Sequence, residues 1–447
     1  MQRKKITASS VLNDLTGNTP TYFIIQEDYT VTGNVQLAPN SVLHFSGGKL
    51  IINGNLAGDN TVIDAPPVQI LQVSGTISGS WHIGTAYPEW FGAVADGQTD
   101  CSPAIAKAMC LGASELRFSC GIYKINSTIV TTGTNIYIAG GATIYTNTAL
   151  SYMIQCDYSS GNTPFGMKAL KTVCGGGGID GNYSATCGIA MRSGYRTVVR
   201  DITIKNINGT CLKTTFDETK YGPVYVQGCV FQNPRGMDKG SKNSSIDANG
   251  TNIAILNNCY GNVFENLDIV NFKVAVKHKA ENATYNNVHA WLFDGADYWF
   301  GSKVFSCYVP DVTLYRCDAD TMQSLVVAED YDDNNSSINH DYFFANILNC
   351  QAYRNPGIAN NTVILDSHCP TVIRHPKVID MGSLVNSGNF SQIMLVGGNY
   401  YYDNNEGAQH NNDPVVYEIM TKKSDYDIIS INRFNRNSDV LVHYEWY

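Results

Sequence analysis

The chain has 447 residues, 43% hydrophobic and 15% charged, with a formal charge of −9. That apolar fraction supports a large core and excludes a disordered chain. The negative balance excludes a binder that relies on clustered Lys and Arg to displace counterions from phosphates, so nucleic acid is not an expected partner.

The N-terminal Met1-Gln2-Arg3-Lys4-Lys5 is basic, but residues 6–18 are polar and supply no apolar signal core. No run approaches the roughly 18 apolar residues of a spanning helix, so membrane insertion is not expected. Residues 1–20 read as a polar tether. In 21–86, short apolar runs such as Val42-Leu43-His44-Phe45 and Leu50-Ile51-Ile52 alternate with Gly and Asn turns, which predicts small preliminary β coils. In 87–112, Asp100 or Ser102 is placed to cap a helix with Pro103 in its first turn, and Ala104 to Met109 predicts a short helix that closes the end of a solenoid. Residues 113–395 are the expected main β-helix, and 396–447 its C-terminal coils or cap.

The main segment repeats. Strand-like runs begin at Val199, Val224, Val263, Val288, Val312 and Ile347, at spacings of 25, 39, 25, 24 and 35 residues. Cysteine recurs after a polar, turn-forming pair in Gln227-Gly228-Cys229, Asn257-Asn258-Cys259, Tyr315-Arg316-Cys317 and Leu348-Asn349-Cys350. The thirteen cysteines are odd in number and show no zinc-like CxxC pair. A free cysteine behaves as a small hydrophobe, so these predict reduced core thiols beside a recurring bend. Coils that bury their inner faces only against their neighbours explain such a pattern, and the fold class is an all-β solenoid.

The segment Tyr87-Pro88-Glu89-Trp90-Phe91-Gly92-Ala93-Val94-Ala95-Asp96-Gly97-Gln98-Thr99-Asp100-Cys101-Ser102-Pro103-Ala104-Ile105 resembles the opening motif of the pectate-lyase-like superfamily, although Cys101 stands where that family often has a second Asp. Gly178-Ile179-Asp180-Gly181-Asn182 resembles a second, structural element of these folds. With the small coils before it, the arrangement is similar to phage tailspike and tail-fibre proteins and to related proteins of gut Bacteroidales and their prophages. The resemblance implies a right-handed parallel β-helix, a homotrimer, polysaccharide as ligand, phage tail or baseplate proteins as partners through the N-terminus, and a place on the virion tail or, alternatively, outside or on the surface of a bacterial cell.

Glycoside hydrolysis usually needs two carboxylates, about 5 to 5.5 Å apart for retention and 6.5 to 9.5 Å for inversion. If Cys317 points inward, Asp318 and Asp320 point outward about 7 Å apart on one strand. These two, with Glu329 from the acidic run Glu329, Asp330, Asp332, Asp333, are the candidate catalytic residues. The acidic run also reads as a solvated loop. A structural Ca²⁺ held there through oxygens is the one cofactor considered, and no other metal or cofactor is expected. Sugar rings stack on outward aromatic groups, and the densest stretch runs from Val288 to Phe300. Its Trp291, Trp299, Tyr298 and His289 are the candidate substrate-binding residues. His289 would also serve as acid or base, with Asp294 or Asp297 as partner. The polygalacturonase set of Asn-Thr-Asp, Asp-Asp and Gly-His-Gly on successive coils is not found, and Lys277-His278-Lys279 would alternate between faces rather than form a lyase base cluster. Two function classes stay open: an enzyme, hydrolase or lyase, that depolymerises surface polysaccharide, and a non-catalytic receptor-binding or structural tail protein that adheres through the same face.

Overall fold

Each coil of the molecule lays its backbone hydrogen bonds onto the coil before it, and the pairing is parallel in all the named strands. The computed structural model describes residues 1–11, 14–157, 171–191, 197–214, 224–233, 252–280, 282–292, 302–308, 312–320, 322–328, 345–353, 363–367, 371–374, 377–379, 383–387, 393–396 and 399–401. The chain is a right-handed parallel β-helix in two parts. In the first, Tyr22 pairs with Val42 and Val42 with Val62, which sets a coil of 20 residues. Tyr29 pairs with Leu50 and Leu50 with Leu71 on a second side of the same coils.

The solenoid begins earlier than the sequence suggests. Gln2–Ile6 pairs residue for residue with Thr21–Ile25, and Ile6 and Leu15 are fully buried. Residues 1–20 are therefore not a separate tether, because an alternating strand with an apolar inner residue is more stable on the end of the stack than in water.

The second part has three faces. A 22-stranded sheet bends into a first and a second face, and a separate ten-stranded sheet forms the third. Coil length varies from 20 residues, Glu115 to Asn135, to 43, Leu212 to Ile255. Strands hold their register while the connections absorb the difference, which is why the sequence spacing is uneven. Inner ladders run through every coil: Leu116, Ile136, Val173, Val199, Val226, Phe264, Tyr285, Leu314 and Ile347 on the first face, and Ile129, Ile154, Ile189, Leu212, Ile255, Val276, Phe305 and Val326 on the third. All are buried, and each contributes about 1.5–3 kcal/mol of apolar burial.

The bend between the first and second faces has a recurring geometry. Asp201, Gly228, Asn266, Asn287, Arg316 and Asn349 all have φ between 53° and 63°. The next residue, Ile202, Cys229, Leu267, Val288, Cys317 or Cys350, turns into the core. Asn tolerates the left-handed region, and Asn287 Nδ2 donates to Asn266 Oδ1 at 2.9 Å across coils. Three of the four cysteine contexts in the sequence are this corner. Asn257-Asn258-Cys259 belongs to a different one, between the third-face strand Ile253–Asn257 and the first-face part of Val263–Val270. The run at Val288 is likewise displaced: it lies on the second face, within the long strand Ala283–Trp291 that serves both.

The helix spans Ser102–Cys110 and buries Ala104, Ile105 and Ala108. Ser102 N–H donates to Asp100 Oδ1 at 3.0 Å, and Pro103 occupies the first turn. The helix packs on the Pro88–Phe91 turn and on Ile129–Thr131, the first strand of the third face, covering its edge. In that turn Trp90 Nε1–H donates to the Pro66 carbonyl at 2.9 Å, and Tyr123 donates to Glu89, whose carboxyl burial pushes above its ordinary pKa. The motif therefore joins the two parts of the solenoid. Asp180 of the Gly-Ile-Asp-Gly-Asn element accepts from Asn182 N–H and Asn206 Nδ2, a structural role.

Arg316 is the one long cationic side chain among these six left-handed corners, where an ordinary L-residue costs about 1–2 kcal/mol. Arg316→Asn is expected to raise stability by about 1 kcal/mol, read as a higher thermal midpoint. A drop would show that the contact of Arg316 with the Tyr315 ring outweighs backbone strain. The thiols give a second check. Of the described cysteines Cys110 and Cys120 are exposed, while burial pushes Cys101 up to about 11 and Cys187 and Cys229 up to about 12. A thiol reagent at pH 8 should label Cys110 and Cys120 quickly and leave Cys187, Cys229 and Cys317 unlabelled until denaturant is added. Prompt labelling of Cys317 would contradict the inner position of the corner cysteines.

Candidate functional site

The first residue after each corner that faces outward on the second face forms a column: Val230, Asp268, His289, Asp318 and Gln351 pair in register on successive coils. Two residues on, Val270, Trp291, Asp320 and Tyr353 form the next column. Beneath them Ile269, Ala290, Ala319 and Ala352 face the core. Small inner residues occupy coils whose interior also holds the Phe264, Tyr285 and Phe305 rings, with Phe264 and Tyr285 stacked at 4.7 Å.

His289 Nδ1 lies 2.8 Å from Asp318 Oδ1. The other carboxylate oxygen, Asp318 Oδ2, accepts from Gln351 Nε2 at 3.2 Å. Asp318 is thereby held on both sides, and its side chain is only 13% exposed against 41% for His289. The hydrogen bond that His289 donates to Asp318 raises the pKa of His289, desolvation opposes it, and the charges of Asp318, Asp268 and Asp320 add to the rise. With Nδ1 turned to Asp318, Nε2 is the ring atom left to face a ligand.

On the other side of His289, Trp291 Nε1–H donates to Asp268 Oδ1 at 3.0 Å, which fixes the plane of a half-exposed indole. The imidazole and indole centroids are 6.5 Å apart. Asp320 pairs with Trp291 in register, about 7 Å along the strand from Asp318. The face thus brings together a polarised imidazole, an oriented indole and three carboxylates.

Asp318, Asp320, His289 and Trp291, expected from the sequence as site residues, therefore come together on one face. Their division of labour differs from the expectation, since Asp318 is engaged by His289 and Gln351 and orients the imidazole rather than standing open. Glu329, Tyr298, Trp299, Asp294 and Asp297 lie outside the described residues. Asp268 and Gln351 were missed. Both follow a buried corner residue, as Asp318 follows Cys317, so the recurring corner was the signal that would have found them.

Elsewhere the chemistry is structural. His278 is fully buried between Lys277 and Lys279, whose ammonium groups both lie over the Tyr308 ring at 4.8 and 4.9 Å. Burial pushes His278 down to about 4, and its Nδ1 faces Tyr285 Oη and Asn257 Nδ2 inside the core. A cleft of about 420 Å³ between the helix and Ile129–Thr131 is lined by Ser, Thr and aliphatic side chains with Cys110 as its one titratable group, many coils from His289. No group of three or more His, Cys, Asp or Glu among the described residues is placed to hold a metal ion.

No protein-family model matches the chain, and no curated protein matches it. Among solved structures it is similar to an endo-xylogalacturonan hydrolase from Aspergillus tubingensis, at 12% identity over 71% of this chain and 93% of that one, with a TM-score of 0.49. It is also similar to a tailspike of an Acinetobacter phage, at 15% identity over 75% and 63% with a TM-score of 0.43, and to the Streptococcus pneumoniae surface protein and adhesin PfbA, at 13% over 71% and 97% with a TM-score of 0.38. A hydrolase, a tailspike and an adhesin share this likeness, so it selects no function.

The His289–Asp318 pair predicts a pH response. Because the folded pKa of His289 is raised, its contribution to stability is fully present below the unfolded value near 6.5 and is lost as pH rises through the folded value. Following the His289 ring protons by NMR, we expect a midpoint above that of an unstructured histidine, and Asp318→Asn should lower it. An unchanged midpoint in Asp318→Asn would show that the pair is not the cause.

Proposed function

We propose that the second face between Asp268 and Gln351 binds a polysaccharide and cleaves a glycosidic bond in it, and that the protein acts as a tailspike-like depolymerase. The observation that carries this reading is the Trp291 indole, held in plane by Asp268 beside the His289–Asp318 pair. An indole so fixed presents one face for a sugar ring to stack on, without the entropy cost of ordering it. His289 Nε2 protonates the leaving oxygen, Asp318 holds the imidazole and stabilises its cationic form, and Asp320 serves as base for water. Asp320 lies one coil on and two residues along from His289, a backbone separation of roughly 8 Å that leaves room for a water between acid and base.

Assembly into a trimer belongs to the same proposal, and the surface it would use is the first face. Its outer column of Thr172, Val198, Tyr225, Val263, Thr284 and Thr313 is uncharged through successive coils, with Tyr225 41% exposed. A place on a virion tail, with other tail proteins as partners, belongs to the same proposal. One observation favours the non-catalytic alternative of a receptor-binding protein: both oxygens of Asp318 are engaged, and a column so tied also suits simple adhesion.

Incubation with capsular polysaccharide from Bacteroidales hosts, following chain length, new reducing ends and unsaturated-uronate absorbance, separates these readings. Cleavage that falls by roughly 10²–10⁴-fold in His289→Ala and Asp320→Asn, while binding persists, is the expected result. Trp291→Ala should weaken binding about tenfold, roughly 1.4 kcal/mol. Binding without cleavage across a broad panel would make the protein an adhesin, and cleavage indifferent to both His289→Ala and Asp320→Asn would remove this face from the chemistry.

A further inference from the structure

The charge around the site narrows what it can hold. Residues 263–353 contain thirteen Asp and Glu against five Lys and Arg, so nearly all of the chain's formal charge of −9 sits in these 91 residues. The stretches of sequence between strands in this region share this bias. The one after Trp291 carries Asp294 and Asp297, and the one after Ala328 carries Glu329, Asp330, Asp332, Asp333 and Asp341, with no Lys or Arg in either.

Three of the five described bases of this region lie over aromatic rings away from the two columns, and Lys303 opens a third-face strand. Lys277 and Lys279 lie over Tyr308, on strands and turns of the third face, and Arg316 lies over Tyr315 at the corner. In the two outward columns the positive group between Asp268 and Gln351 is His289, and it already faces Asp318. A carboxylate on a sugar seated against Trp291 would therefore meet Asp268 and Asp320 with no guanidinium or ammonium in those columns between Asp268 and Gln351, Lys377 lying one coil beyond Gln351. Each such encounter sets like charges against each other at close range and weakens binding.

Resting on the polysaccharide reading above, we propose that this site selects an uncharged, hydroxyl-rich glycan and rejects polyuronates. Carboxylates accept hydrogen bonds from sugar hydroxyls at no charge penalty, so Asp268 and Asp320 suit hydroxyl donors where they would repel an acidic chain.

The test compares matched polymers on the whole protein. Amylose, 1,4-linked mannan and 1,4-linked galactan, whose C6 hydroxyls are free, are titrated beside the same polymers oxidised at C6 to the uronate, and beside polygalacturonate, with EDTA and then with about 2 mM Ca²⁺ as an added condition. We expect at least one neutral polymer to bind in a manner lost in Trp291→Ala, with little change on adding salt, and its oxidised form to bind at least tenfold more weakly. Polyuronate binding that is equal or tighter and depends on Trp291, with or without Ca²⁺, would overturn the charge inference while leaving the site in place. Binding of none of these polymers and of none of the capsular preparations in a Trp291-dependent way would overturn the polysaccharide reading and this inference with it.

Discussion

The structure depends on one constraint, the parallel hydrogen-bond register between successive coils. Once a strand is fixed on its neighbour, side chains at equal positions stack about 4.8 Å apart, and every second residue enters the core. Coils as different in length as 20 and 43 residues keep this register because the extra residues leave through the corners. The left-handed residue between the first and second faces sets which residue points inward next, so it fixes the phase of the whole second face.

That phase also builds the site. His289 and Asp318 are 29 positions apart in sequence, yet they meet because each is the second residue after its corner. No long-range recognition between them is needed beyond the backbone ladder. The pair, open to solvent on its His289 side, itself contributes little, about 0–1 kcal/mol, so geometry positions the site and the ion pair only tunes it.

The parts of this arrangement that were legible in the sequence are those with a local signature. Cys229, Cys317 and Cys350 each follow a turn-forming residue, and the alternation around Cys317 correctly sent Asp318 and Asp320 outward. Alternation also separated His278 from its flanking lysines. Register was not legible, because it depends on connection lengths that carry no pattern. Hence Val288 reads in the sequence as the start of a coil but lies midway along one strand, and nothing local marks Asp268 although it occupies the same position as Asp318. The first strand was hidden for another reason: Gln2–Ile6 has one fully buried apolar residue, Ile6, and its place in the stack comes from pairing with Thr21–Ile25 rather than from its own composition.

A ladder that stacks identical positions has an electrostatic price for acids. Two carboxylates on adjacent coils would repel by about 3 kcal/mol at an effective dielectric near 20, and nothing in a parallel register lets them move apart. The column here avoids this by order: Asp268, then His289, then Asp318, then Gln351. Each carboxylate has a group that can be a donor on the neighbouring coil, and the two acids are two coils apart, about the Debye length at physiological salt. Asp320, in the next column, pairs with Trp291 instead of another acid. The sequence order that lets three carboxylates coexist on one face is therefore the same order that sets a polarisable imidazole and a fixed indole between them. In this solenoid, the condition for a stable acidic ladder and the condition for a site with acid–base chemistry are met by one arrangement of residues.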